Sequence, residues 1–148
     1  MTETASTPFV VVGIDGSPSS KEALRWAANY AALSGAEVHA VISWRELPTF
    51  GYPLGYTDAE FIEHSRKVAE EVVHEVLGDS PPAPVTIKVL QGHPATVLIG
   101  ESRAAALLVV GSRGLGAFAG PILGSVSQRC VNQAECSVTV VRHPSDQP

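Results

Sequence analysis

The chain has 148 residues, 45% hydrophobic and 17% charged, a balance that suits one globular α/β domain over the whole chain and excludes disordered and fibrous classes. A formal net charge of −5, with lysine only at Lys21, Lys67 and Lys88, leaves no cluster of cations able to grip nucleic-acid phosphates. No apolar run approaches the ~20 residues of a bilayer span, and the polar stretch Met1 to Pro8 lacks a basic n-region, so a cytoplasmic protein that avoids membranes is expected.

Strands alternate with helices along the chain. Phe9 to Ile14 is a β-branched run of the kind buried on both faces of a parallel sheet. Asp15-Gly16-Ser17-Pro18 breaks it. Ser17 can cap a helix that has Pro18 in its first turn, and Ser19 with Glu22 also fits a capping box. Ala23, Leu24, Ala27, Ala28 and Ala31 recur at helical spacing through Leu33, and Gly35 stops the helix.

Glu37 to Trp44 reads as the second strand, followed by the irregular segment Arg45 to Tyr56. Thr57 and Glu60 form a further capping box, from which a helix runs from Asp58 to about Leu77 with an acidic outer face. Pro81 to Pro84 is a stiff connector. Val85 to Leu90 makes the third strand, Pro94 to about Arg103 a short helix, and the apolar run ending at Val110 the fourth strand. A last helix from Ser125 to about Gln133 precedes a fifth strand, Ser137 to Arg142, and residues 1–7 and 144–148 read as flexible tails.

Open sheets of this kind take ligands beyond the carboxyl ends of their strands, where strand order reverses. That rule selects Gly13 to Gly16, Ser43 to Glu46 and the loop that starts at Gly111. In the last of these, Gly111-Ser112-Arg113-Gly114 is followed by nine residues and then Gly124-Ser125 at a helix start. Glycines let backbone N–H groups approach an anion, and a helix N-terminus adds donors with a favourable dipole. A phosphate cradle is one reading; a glycine-rich surface loop is the other.

Other phosphate and nucleophile motifs lose support. The chain has no Gly-Lys dipeptide, so a P-loop is excluded. Gly114-Leu115-Gly116 approaches the dinucleotide fingerprint with Ala119 at its third glycine position, yet it follows strand four rather than opening the first βαβ unit. Gly124-Ser125-Val126 does not match a nucleophile elbow.

The spacing Gly111-x2-Gly114-x9-Gly124-Ser125 resembles the ATP-binding signature of the universal stress protein family. The resemblance runs from Val11-Val12-Gly13-Ile14-Asp15-Gly16-Ser17 through Trp26-Ala27 to Leu123-Gly124-Ser125-Val126-Ser127 and Val138-Thr139-Val140-Val141, and is nearest to single-domain actinobacterial members. The fold expected is a Rossmann-like, three-layer α/β open sheet of five mainly parallel strands in the order 3-2-1-4-5, with four helices.

By resemblance, Asp15 would accept hydrogen bonds from the ribose hydroxyls, although Asp at such a turn is also an ordinary turn former. Gly13 and Ile14 would offer backbone to base or sugar, and the main chain around Ser43 would meet the adenine edge. Gly111, Ser112, Arg113, Gly114, Leu115, Gly116 and Ala117 would wrap the phosphates. Gly124, Ser125 and the Val126 N–H would hold the β- and γ-phosphates, with Ser125 also suited to cap its helix. Arg113 suits either phosphate pairing or solvent.

The five histidines show no zinc-helix spacing, and Mg²⁺ carried mainly by the nucleotide's phosphates fits better than a protein-held metal. Cys130 and Cys136 read as buried thiols. With no general base, catalytic lysine or carboxylate pair, the site suggests a nucleotide-dependent stress regulator rather than an efficient enzyme. Slow ATP hydrolysis or autophosphorylation at Ser125 or Ser127 is the most it would sustain. A cyclic AMP sensor and a nucleotide-independent interaction module are the alternatives. The terminal strand Ser137 to Arg142 would be a sheet edge closed in a homodimer, as is common in the family, or shielded by the tail.

Overall fold

Val10, Val11 and Val12 have no exposed surface, and they divide between two cores on opposite faces of one sheet. The computed structural model describes residues 6–45, 55, 57–114 and 122–144. Its strands are β1 (Phe9–Gly13), β2 (Glu37–Trp44), β3 (Val85–Gln91), β4 (Leu107–Gly111) and β5 (Val138–Val141). Its helices are α1 (Pro18–Ser34), α2 (Asp58–Leu77), α3 (Pro94–Ser102) and α4 (Ser125–Gln133). The sheet order is β3-β2-β1-β4-β5 and all four pairings are parallel, as the alternating pattern and the resemblance predict. Much of the predicted irregular segment Arg45 to Tyr56, and most of both predicted tails, lie outside the described residues.

Helices α1 and α2 cover one face, where Val10, Val12, Val38, Ala40 and Val109 meet Ala23, Leu24, Ala27, Ala31, Ala69 and Val72. Helices α3 and α4 cover the other, where Val11, Val41, Leu108 and Val110 meet Leu98 and Cys130. Fully buried alanines give α1 a narrow inner face, so its backbone lies close to the sheet. Short side chains there trade buried apolar area for close approach.

Local chemistry sets the ends. Ser17 caps α1, accepting the Ser20 N–H at 3.2 Å, and Gly35 ends it in the left-handed region at φ 73°. Ser17, not Ser19, is therefore the cap; Ser19 is buried against Ser112, hydroxyl to hydroxyl at 3.5 Å. Thr57 and Glu60 form the predicted capping box on α2. At α3 the cap is His93, whose Nδ1 accepts the Ala95 N–H at 3.2 Å.

Cys130 and Cys136 are both free thiols, the first fully buried and the second half-buried. Burial pushes the Cys130 thiol up to about 11, the Arg129 charge opposing this weakly. A folded pKa raised above the unfolded value means stability that is complete below about pH 9 and is lost as pH rises towards about 11. A thiol reagent at pH 8 should label Cys136 first, and Cys130 only as the chain unfolds. Labelling of both at one rate in the folded protein would contradict this packing.

Candidate functional site

Three strand ends and three helices enclose a cavity of about 280 Å³ at the carboxyl edge of the sheet, on both sides of the β1–β4 pairing where strand order reverses. Gly13, Ile14 and Asp15 enter it from β1, Val41, Ile42 and Ser43 from β2, and Val110 and Gly111 from β4, followed by Arg113 and Gly114. The strands deliver these residues because each run of β-branched side chains stops at a glycine or a short polar residue, where the chain turns over the sheet edge.

Asp15 is held by its own turn. Its Oδ1 accepts the Ser17 N–H at 2.9 Å, and Gly16 supplies the positive φ of 84° that the bend requires. Its N–H donates to Ser20 Oγ at 3.4 Å, while the Ser20 hydroxyl donates to the Ser17 carbonyl at 2.9 Å. Ser17 Oγ in turn reaches the Arg113 carbonyl at 3.4 Å, so the turn after β1 is stitched to the glycine loop after β4. Asp15 Oδ2 lies so near Gly114 that a Cβ there would stand 2.8 Å from it. The carboxylate and the loop backbone therefore share one side of the crevice. Among the described wall residues, Asp15 and Arg113 are the charged ones.

Helix α4 brings its first turn to the same place. Its N-cap is Gly124, with no side-chain cap bond, so Ser125 is the first helical residue and not the cap. The Gly124 N–H donates to the Ser112 carbonyl at 2.8 Å, drawing the two glycine stretches together. A Cβ at Gly124 would lie 3.3 Å from Arg113 Cα. A helix end without a side-chain cap leaves first-turn donors for an outside acceptor.

The structure thus gathers Gly13, Ile14, Asp15, Ser43, Gly111, Arg113, Gly114 and Val126 around one crevice. Ser112 stands apart: it is 1% exposed, packs on Ser19, and donates its N–H to the Val141 carbonyl at 2.8 Å. Its hydroxyl serves the seam between α1 and β4 instead of the cavity. Gly124 and the exposed Ser125 border the site without forming its described wall. Leu115, Gly116 and Ala117 lie outside the described residues.

Sequence reasoning missed Val41, Ile42 and Val110 on the strands and Ser20, Pro94, Val97, Leu98 and Ser127 on the helices, which complete the wall. Leu98 meets the end of β1 closely, since a Cβ on Gly13 would lie 2.7 Å from its Cδ1. The apolar α3 side chains make one end of the cavity suited to a flat apolar group, whereas the α4 end offers backbone donors. Among the described residues, no three His, Cys, Asp or Glu side chains gather as metal ligands would, and no helix is long and apolar enough to cross a membrane.

A glycine-bordered crevice at the switch point of a five-stranded parallel sheet marks an α/β protein of the open-sheet class, and it lies where such sheets take their ligands. The chain belongs to the universal stress protein family, whose pattern, described as "Universal stress protein family", matches residues 9–142. A universal stress protein of Mycolicibacterium smegmatis is 33% identical over a stretch covering 99% of this chain and 52% of that protein. The chain spans about half the length of the curated relatives it matches. Universal stress protein UspA from Lactobacillus plantarum has the same fold, with a TM-score of 0.75 at 20% identity, 94% of this chain and 100% of that one being covered. A universal stress protein solved in complex with cAMP gives a TM-score of 0.58 at 26% identity, covering 93% of this chain and 98% of that one.

Proposed function

We propose that this chain binds an adenine nucleotide, ATP foremost, and acts as a nucleotide-dependent regulator in the stress response. The observation that carries the reading is the first turn of α4, which has no side-chain cap and borders the crevice beside Gly111, Arg113 and Gly114. Backbone N–H donors and close glycine approach fit a phosphate chain, and the Pro94, Val97 and Leu98 end fits a base. Asp15 would take the ribose hydroxyls. Mg²⁺ would be carried mainly by the phosphates.

Hydrolysis would be slow at most. The described wall offers Arg113 to neutralise charge and no lysine or histidine to act as base. Ser125 is exposed and Ser127 is 3% exposed, so Ser125 is the hydroxyl open to autophosphorylation. The neighbour in complex with cAMP favours a second reading, a cyclic AMP sensor.

We read the chain as one cytoplasmic domain without nucleic-acid partners, paired as a homodimer through β5, which among the described residues adjoins β4 alone and ends the sheet. Light scattering at micromolar concentration should give the mass of a dimer, and a monomer there would overturn the pairing.

The deciding experiment is mass spectrometry of nucleotide released on denaturation, with calorimetric titration of ATP, ADP and cyclic AMP. Co-purified or tightly titrating ATP is the expected result, preference for cyclic AMP would select the second reading, and no binding would overturn both. Gly114→Ala separates fold from function. Its Cβ would meet the far end of the Asp15 side chain, which can give way. The denaturation midpoint should move by no more than about 0.5 kcal/mol, while ATP affinity falls about tenfold through the displaced carboxylate.

A further inference from the structure

We propose that Ser127 is a positioning residue for the phosphate end of the crevice, a role that rests on the adenine-nucleotide reading. The first-turn donors of α4 are useful only if the turn stands at a fixed distance from the end of β4. Two hydrogen bonds set that distance. One is the Gly124 N–H to the Ser112 carbonyl, at 2.8 Å. The other is the Ser127 hydroxyl, which donates to the carbonyl of Gly111, the last residue of β4, at 2.5 Å.

The Ser127 bond differs from that of an ordinary buried helical serine. Such a hydroxyl commonly bonds back to the carbonyl of the preceding turn within its own helix. Ser127 instead reaches a residue 16 positions earlier, in another element. The same helix otherwise packs on the sheet through apolar side chains, Val126 and Cys130 joining the cluster that holds Leu108 and Val110. A methyl group would fill much of the same space and would not tie helix to strand. Since Gly111, Val126 and Ser127 all line the cavity, the tie lies in its wall. Removing the hydroxyl frees the first turn of α4 and leaves the Gly111 carbonyl without this donor.

That placement predicts a selective defect. The apolar end of the cavity and Asp15 are carried by β1, β2 and α3, so they do not depend on the Ser127 bond. Ligands with a phosphate should feel its loss, and the nucleoside alone should not.

Calorimetry of the full chain with AMP and with adenosine tests this directly. Ser127→Ala should weaken AMP about three- to tenfold and change adenosine by less than about twofold. Ser127→Thr, which keeps a hydroxyl, should restore AMP binding. Ser127→Cys, close in size and a much weaker donor, repeats the test at nearly constant core volume should the alanine variant fold poorly. Unchanged AMP affinity in the alanine and cysteine variants overturns the inference and leaves the nucleotide reading standing. Equal losses for AMP and adenosine also overturn it, because a general loosening would do that. A wild-type protein that binds neither ligand overturns the adenine-nucleotide reading, and this role with it.

Discussion

Gly111→Ala should cost about 1–3 kcal/mol of stability or more, read as a lower urea midpoint at unchanged slope. Gly111 is the last residue of β4, and a Cβ there would stand 2.7 Å from the Ser19 carbonyl carbon and 2.8 Å from its oxygen. Those are backbone atoms in the first turn of α1. They cannot rotate aside as a side chain can, so relief requires the whole turn to move off the sheet. That turn carries Ser17, Ser19 and Ser20, all buried, and the Ser19–Ser112 contact would open with it. Nucleotide binding should weaken as well, since Gly111 also accepts the Ser127 hydroxyl. A midpoint within about 0.3 kcal/mol of the wild type would show that α1 and β4 are not packed this closely.

Asp15→Ala should leave the fold near wild-type stability and weaken nucleotide binding by about 1.5–3 kcal/mol, the range for hydrogen bonds to a charged group. That is roughly 10- to 150-fold in affinity. The variant loses the acceptor of the Ser17 N–H, but Gly16 and the Ser17 cap of α1 continue to shape the turn. The control is Asp15→Asn, which keeps a side-chain oxygen for that turn while removing the charge. If Asn binds ATP as well as the wild type does, the charge is dispensable, and if Asp15→Ala also does, the carboxylate serves the turn alone and its ribose role is wrong.

Much of the fold was legible because parallel strands buried on both faces appear as unbroken apolar runs. Phe9 to Gly13 and Leu107 to Gly111 are such runs. Breaks came from single residues with strong conformational demands, Pro18, Gly35 and Pro94 among them. The glycine spacing pointed to one rim of the crevice. The opposite rim was not legible, because Pro94, Val97 and Leu98 owe their place to α3 lying across the end of β1, a contact that no local pattern encodes. His93 escaped for a different reason, since capping by imidazole lies outside the usual Ser, Thr, Asp and Asn preference. Ser125 was credited with a cap that Gly124 occupies, because hydroxyl chemistry alone does not say where the chain turns.

The central pairing of β1 with β4 also governs when this protein can exist. Ser17 and Arg113, which meet on one side of the crevice, lie 96 positions apart in the chain. During synthesis the β1–β2–β3 half can assemble first, with one side of β1 waiting for a strand that emerges about 1–4 s after β3. Long-range parallel pairing is slow for the same reason, as closure entropy comes before contact energy. The nascent chain therefore carries an incomplete crevice until β4 and α4 have both left the ribosome. A ligand can stabilise the finished fold, but it cannot guide the early stages of making it.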